Sequence, residues 1–424
     1  MPPNGFNAEQ PEWLEGASRP RGYYCGMPAE SVSPSDVSVS ARLGWVAFLN
    51  DCSSEVLARI LPLYLTLVLG ASPTFVGVVE GLAESGSVLL KGYCGWLSDR
   101  LPSRKGFVLG GYALSVAARA LFLLPLGALL VGASRVLDRV GKGLRTAPRD
   151  AMVADAAAQG RSGRAFGLTR FLDTLGAMAG IGLVLVLGVG HGPMSAATFR
   201  VCVWIALPLG LATVALVAFG VPRIPTLVRA GKRINWRVPA EIRGYLVIVF
   251  VFTLANSSDA FLVLRARDAG FGIREILGLF LVFNLLAAAL ALPAGRLSDR
   301  FGRVRFLAAG WAVYGVAYAV MGLAGSRTTF AVALFGYGAF YGLTEGVEKA
   351  LLADLLPADQ RGAGFGSLQS VLGVGALLSS LLMGAVMTGF GARVAFLAAA
   401  ATALGATLAL AIWRHSRRSS FGAA

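Results

Sequence analysis

Stretches of about twenty apolar residues recur from Leu43 almost to the end of the chain, and that recurrence leaves few folds open. A helix needs roughly 20 such residues to cross the hydrocarbon of a bilayer, where backbone polar groups are satisfied only within the segment. With a mean hydropathy of +0.67 and 14% charged residues, the chain cannot hide these runs in one water-soluble core. It reads as an all-α membrane protein with twelve spans, at roughly 43–69, 74–97, 106–125, 128–150, 165–189, 198–220, 244–264, 276–297, 305–324, 328–352, 364–389 and 392–413. They are numbered helix 1 to helix 12 below.

A formal net charge of +15 raises nucleic acid or anionic lipid as a partner, and the positions of the basic residues decide the matter. Arg100, Arg104 and Lys105 share one connection, Arg161 and Arg164 another, and Arg223, Arg229, Lys232, Arg233 and Arg237 the long central one. Arg300, Arg303 and Arg305 follow, then Arg361, then Arg414, Arg417 and Arg418 in the tail. The connections near Ala71 and Leu126 carry no basic residue, and the exception is Arg265 to Arg274, where three Arg stand beside Asp268 and Glu275. This is the positive-inside pattern of a multi-pass protein of the cell (cytoplasmic or inner) membrane with both termini cytoplasmic. The excess charge is topology, and no nucleic-acid partner is expected.

Cys25, Cys52, Cys94 and Cys202 form no CxxC pair and His191 and His415 are far apart, so no disulfide framework, metal site or cofactor is expected. Residues 1–41, rich in Pro, Ser, Gly and Glu and without the apolar core of a signal peptide, read as a disordered cytoplasmic tail. Residues 42–220 then form a first six-helix bundle, 221–243 a basic cytoplasmic linker, 244–413 a second bundle and 414–424 a cytoplasmic tail.

The two halves repeat. "GWLSDR" at 95–100 returns as "GRLSDR" at 295–300, "RDAMVAD" at 149–155 as "EKALLAD" at 348–354, and "GRAFG" at 163–167 as "GAGFG" at 362–366. Chance likeness between apolar helices does not keep three loop landmarks in step, so the chain is a duplication. Both copies of each landmark fall on the cytoplasmic side. The repeats are therefore parallel, and the bundles are related by a pseudo-two-fold along the membrane normal.

With these features the chain resembles the major facilitator superfamily (MFS) of secondary transporters across residues 42–413. The likeness is carried by the loop signature G-x-L-[SA]-D-R-x-G-R-[RK] between helices 2 and 3 of each half. The second copy, Gly295, Leu297, Ser298, Asp299, Arg300, Gly302 and Arg303, fits nearly throughout. The first keeps Gly95, Leu97, Ser98, Asp99 and Arg100 but has Pro102 where the family has Gly. The resemblance implies an MFS fold that works by rocking of two bundles. A cytoplasmic gate is expected at Gly95, Asp99, Arg100 and Asp155 and their repeats Gly295, Asp299, Arg300 and Asp354, whose charge pairs across the bundles break as that side opens.

Several charges lie inside the spans, where each costs roughly 2.5 to 3.5 kcal/mol on insertion scales and so faces a partner or a wet cavity. On helix 1, Asp51 and Glu55 share a face, with Asn50 beside them and Arg59 one turn on. Helix 2 aligns Glu80, Glu84, Ser87 and Lys91, and helix 4 aligns Arg135, Asp138, Lys142, Arg145 and Arg149. Arg119 on helix 3 and Arg170 and Asp173 on helix 5 add to the first half, while Arg149 to Asp155 read as a cytoplasmic salt-bridge cluster. Proton coupling is expected at Asp51, Glu55 and Glu84, tuned by Arg119 or Arg135, since an ionised carboxylate is costly in a low-dielectric cavity and can take up a proton there. Static ion pairs with Arg59, Lys91 or Arg119 are the alternative. The family's R-x-x-Q-G motif of helix 4 can be laid on Arg135 or on Arg139, and neither match is complete.

The second half is quieter: Asn256, Asp259, Asn284 and Glu345, with Asn50, are expected to read the substrate, and Glu345 and Lys349 are spaced to pair. "DTLGAMAGIG" on helix 5 supplies Gly176, Gly180 and Gly182 of an exporter-like glycine pattern without its Pro. The expected function is alternating-access transport of a small organic solute, with proton-coupled efflux as the leading direction. Proton-coupled uptake of a solute or siderophore is the alternative, and a transport-dead membrane sensor is a further one. An enzyme is not expected, because no His or Cys in the spans stands beside a base, and no P-loop is present for ATP. The partners expected are the solute, protons and the lipid bilayer around a monomer.

Overall fold

A computed structural model describes residues 35–421 except 99, 101–102, 126, 156–161, 190, 224–239 and 357–360. The expected twelve spans are present. They comprise Ser35–Ala58 continued by Leu61–Leu63 and a π-helical turn Tyr64–Val68 (helix 1), Pro73–Ser98 (helix 2), Lys105–Leu121 (helix 3) and Ala128–Asp155 (helix 4). Ser162–Val186 (helix 5) and Ala196–Ala215 with a π-helical turn Leu216–Gly220 (helix 6) complete the first half. The second half holds Ala240–Ala255 with Ala260–Asp268 (helix 7), Ile273–Phe301 (helix 8), Arg303–Leu323 (helix 9) and Arg327–Leu355 (helix 10). Arg361–Phe421 runs through helices 11 and 12, which part at Gly391, whose φ of 84° is left-handed and suits glycine alone.

Three boundaries differ from expectation. Helix 1 begins at Ser35, so 35–41 are helical and not tail; residues 1–34, the rest of that segment, lie outside the described residues. Helix 12 continues past 413 to Phe421. Of the linker 221–243, residues 224–239 lie outside the described residues and 240–243 already belong to helix 7.

Helices 1 and 7, equivalent in the repeat, are each broken near mid-span. In helix 1 the helix stops at Ala58 and resumes at Leu61, because Pro62 has no N–H to bond the carbonyl of Ala58. In helix 7 the break is the run Asn256–Ser257–Ser258–Asp259, whose short polar side chains compete for backbone groups; the Ser258 hydroxyl accepts from the amide of Ala260. Both breaks carry a charged residue, Arg59 and Asp259.

Composition separates the spans. Six stretches are long and apolar enough to cross a membrane by composition alone, and they cover helices 5 to 9, 11 and 12. Helix 3 falls short by length, at 17 residues, and helices 1, 2, 4 and 10 by their charged and polar residues. The helices of the first half pack closely through small residues: Gly111 of helix 3 meets Gly141 and Arg145 of helix 4, and Gly176 and Gly180 of helix 5 lie on the backbone of Phe48 and Cys52 of helix 1. Between the bundles, helix 2 crosses helix 11 where Gly77 meets Ser380 and Gly384.

Candidate functional site

Helices 1, 3 and 4 enclose a cavity of about 60 Å3. Helix 4 supplies most of its charges, because Arg135, Asp138, Lys142 and Arg145 follow one another at three or four residues, with Arg139 beside them, and so point the same way. Asn50, Asp51 and Glu55 of helix 1 face them, and Arg119 of helix 3 closes the back. Arg119, Asp138 and Arg145 are only 2%, 6% and 5% exposed, so their partners decide whether the charges are tolerated.

Most of the charges are matched across helices. Arg135 clamps Glu80 of helix 2 in bidentate fashion, Nε to Oε1 at 2.9 Å and Nη2 to Oε2 at 3.2 Å. Arg139 reaches Glu84 at 3.1 Å. Arg119 lies 3.1 Å from Asp138 and donates to the Ser53 hydroxyl at 2.7 Å. Asn50 joins the two sides: its Oδ1 accepts from Arg119 at 3.4 Å and from Arg145 at 3.2 Å, while its Nδ2 donates to Asp51 at 2.8 Å.

Three groups remain outside this matching. Asp51 has Asn50 as its hydrogen-bond partner and no cation within ion-pair distance among the described residues. Arg145 is held by neutral groups, the Ser115 hydroxyl at 2.6 Å and the Tyr112 ring at 4.5 Å among them. Lys142, half-buried, has no hydrogen-bond or ion-pair partner for its ammonium among the described residues.

Beyond this cavity a second cluster joins the bundles at the two helix breaks. Arg59 binds Glu55 at 3.2 Å on its own helix and Asp259 of helix 7 at 2.9 Å, and it lies over the ring of Phe280 at 4.2 Å. Asp259 also accepts from the Tyr337 hydroxyl at 2.9 Å, and Ser258 donates to Glu80 at 3.3 Å. Nearer the face of short, weakly charged loops, the Thr74 and Thr388 hydroxyls meet at 2.8 Å and Arg274 donates to His191 at 2.6 Å. Toward the basic face the bundles are joined by the Arg170–Glu345 pair at 2.7 Å, with side chains 65% and 43% exposed.

The residues expected from sequence are thus divided. Asp51, Glu55, Arg119 and Arg135 line the cavity, and Glu84 stands behind it on Arg139. Glu55 is paired with Arg59, as the static reading had it. Of the expected substrate readers, Asn50 is buried among guanidiniums and Asp259 lies in the cross-bundle cluster. Asn284 instead bonds the Phe280 carbonyl of its own helix, and Glu345 pairs with Arg170 and Lys349, so neither is part of the cavity. The buried Asn256 Oδ1 has no hydrogen-bond partner among the described residues.

The gate differs most from expectation. Asp99 lies outside the described residues, and the same holds for the side chain of Asp155. Arg100 stacks on Trp96 of its own segment at 3.8 Å. Gly95 faces Ala147 of helix 4, Gly295 is open, and Arg300 lies 6.0 Å from the ring of Phe301. Asp299 and Asp354 both bind Arg303, at 3.2 Å and 2.6 Å, so these second-half charges close within their own bundle and not across it. Arg303 opens helix 9 one turn from Asp299 and beside the end of helix 10, which puts both carboxylates closer than the other bundle. Near the same face, Arg149 binds Asp150 and Asp173, and Asp173 is therefore not the partner of Arg170.

The sequence profile of the Major Facilitator Superfamily matches residues 43–273 and 244–423. The chain belongs to that superfamily. An uncharacterized MFS-type transporter of Methanocaldococcus jannaschii is 34% identical over 358 residues, covering 81% of this chain and 86% of that protein. An uncharacterized protein of Mycobacterium tuberculosis is 26% identical and covers 80% of this chain and 84% of its own length. The nucleoside transporter NupG superposes with a TM-score of 0.73 at 13% identity, covering 88% of this chain and 98% of that one. A POT family transporter in complex with 5-aminolevulinic acid does so with 0.75 at 11%, covering 88% and 95%. At these identities the structures share the fold. As an MFS member the chain is an integral membrane transporter, and its two bundles are the superfamily's two halves.

Proposed function

We propose that this transporter moves a small organic solute by alternating access, coupled to protons at Asp51, with the basic face cytoplasmic in a cell membrane. The observation that carries the reading is Asp51: a half-buried carboxylate on a cavity wall, without a cation partner among the described residues, facing a row of guanidinium and ammonium groups. A carboxylate already committed to an ion pair gives up its partner when it takes a proton; Asp51 changes charge without breaking one. Glu55 relates the cavity to the cross-bundle cluster, since Arg59 is shared between Glu55 and Asp259 and can follow whichever is ionised.

For direction, efflux was favoured by the helix 5 glycines, but Gly176 and Gly180 are accounted for by their packing on helix 1. A second reading, uptake with the proton, is favoured by the excess of cations among the residues lining the cavity: protonating Asp51 makes the cavity more positive, so a negatively charged solute binds better with the proton than without it. The test is reconstitution of the purified protein in liposomes with an imposed pH gradient. Wild type should drive solute flux with the gradient, and Asp51→Asn should retain exchange of solute across equal pH while losing gradient-driven accumulation. Equal accumulation by the Asn variant would remove Asp51 from coupling.

A further inference from the structure

We infer that the solute carries an anionic group, a carboxylate or phosphate, and that Arg139, Lys142 and Arg145 of helix 4 receive it in the cavity facing helix 1. The inference rests on the transport reading and adds to it the chemical class of the cargo.

The argument starts from the charges taken two at a time. Arg135 is matched by Glu80, Arg139 by Glu84 and Arg119 by Asp138, while Arg59 holds both Glu55 and Asp259. The charges therefore balance over the two clusters together, and the excess is local to the cavity wall, where Arg119, Arg135, Arg139, Lys142 and Arg145 face Asp51, Glu55 and Asp138. Lys142 and Arg145 are left as cations, with Asp51 the remaining carboxylate. A charge kept from water without a counter-charge beside it is costly, since removing one member of a buried pair destabilises by about 3–5 kcal/mol. A cation surplus that persists on a cavity wall is what a site for a transient anion requires.

Donor capacity points the same way. Arg139 uses Nη2 on Glu84, and its buried Nε has no acceptor among the described residues. Arg145 spends hydrogen bonds on Ser115 and Asn50 but meets no carboxylate among the described residues. The Lys142 ammonium brings three donors and has no partner among the described residues. The three residues are three apart in sequence, so their side chains succeed one another along one face of helix 4. The cavity's volume of about 60 Å3 is room for a few waters, each of which needs about 10–15 Å3 of such space, and so for the charged end group of a solute. Recognition here is therefore of a charged head, with the remainder of the solute lying outside the cavity.

The test uses the full chain purified into nanodiscs, with thermal unfolding followed by tryptophan fluorescence at constant ionic strength. The probes are citrate, succinate and glucose 6-phosphate, set against glucose and putrescine, with chloride as the balancing anion. At least one of the three anions should raise the midpoint saturably; the carboxylates and the phosphate ester distinguish the two head groups. Lys142→Gln should weaken that apparent affinity roughly tenfold or more, the size expected for a lost charge-assisted contact. Arg327→Gln, which removes a cation paired with Glu275 away from the cavity, should leave it unchanged. Arg145→Gln is a second probe of the site, and if it does not fold, Lys142→Gln still decides. No stabilisation by any of the three anions, stabilisation by putrescine alone, or an anion effect that survives Lys142→Gln would each overturn the inference. Counterflow of the stabilising anion in liposomes separates this from the transport reading: binding without counterflow would sink transport and leave the site, and counterflow of glucose or putrescine alone would do the reverse.

Discussion

The two halves of this transporter share a backbone plan and differ in what fills it. At the spacing of the repeat, Arg119 of helix 3 corresponds to Tyr318 of helix 9, Asp138 and Lys142 of helix 4 to Tyr337 and Tyr341 of helix 10, and Glu80 of helix 2 to Phe280 of helix 8. Positions that form a buried ion network in the first half form an aromatic cluster in the second. Tyr314 and Tyr318 stack with centroids 4.2 Å apart, Phe252 stacks on Trp311 at 4.1 Å, and the Tyr314 hydroxyl donates to the Ala255 carbonyl. The difference teaches where switching can reside. An ion network rearranges when a proton or an anion arrives, because its energies are large and depend on charge. Packed rings hold their shape, since their contacts are many, weak and indifferent to pH. At the helix breaks the two chemistries meet: Arg59 of the first half lies on Phe280 and Asp259 of the second.

The comparison breaks most visibly at Arg119. Its replacement by Ala leaves Asp138 with only the longer 3.9 Å contact to Arg135 and leaves Asn50 and Ser53 short of a donor, so the first half should lose about 3–5 kcal/mol. Thermal unfolding in detergent reads this, and a loss no greater than at an aromatic position of the second half would erase the contrast drawn above. Next in size is Arg135→Lys, which keeps the charge and loses the two-bond clamp on Glu80. Transport in liposomes should fall roughly tenfold, with stability lowered by about 1–2 kcal/mol. Wild-type transport by the Lys variant would mean that charge alone suffices there.

The meeting point of the halves predicts a change of population. Asp259→Asn weakens the cross-bundle pair while Arg59 keeps Glu55, so the short-loop face should open more often, by up to roughly tenfold. Spin labels placed on the loops before helices 2 and 8 measure it, and an unaltered distance distribution would show that the Thr74–Thr388 and Arg274–His191 contacts hold that face without it.

How much of this the sequence discloses follows from range. The bilayer imposes a twenty-residue period, and the basic loops and the duplication mark which helices correspond, so twelve spans in two bundles were legible. The alignment of helix 4's charges was legible too, because a helix fixes its own stripes. Partners were not. Arg170 and Asp173, close in sequence, turn instead to Glu345 on helix 10 and Arg149 on helix 4. Lys142 and Arg145 stood on the stripe without a role, because an unmatched charge is recognised only after the others have been matched in space. The break of helix 7 falls at Asn256–Asp259, inside a span expected to be continuous from 244 to 264. These four residues favour local hydrogen bonds, yet two of them also read as substrate contacts, and the alignment with the break of helix 1 needed the fold.

The smallest effects lie in the second half and test the comparison from its quiet side. Tyr337→Phe removes one hydroxyl that donates to Asp259, and with Tyr337 buried the loss should be about 1 kcal/mol. Tyr318 occupies the position of Arg119 and is buried as deeply, but its hydroxyl oxygen has no hydrogen-bond partner among the described residues. Tyr318→Phe keeps the ring stack on Tyr314 and takes away a polar atom that the protein leaves unmatched, so stability should move by no more than about 0.5 kcal/mol and transport should be unchanged. The same repeat position would then span the full range, from the largest effect to the smallest. If Tyr318→Phe instead cost as much as Arg119→Ala, the hydroxyl would have to take part in a polar network of its own, and the second half would no longer be the passive partner in switching.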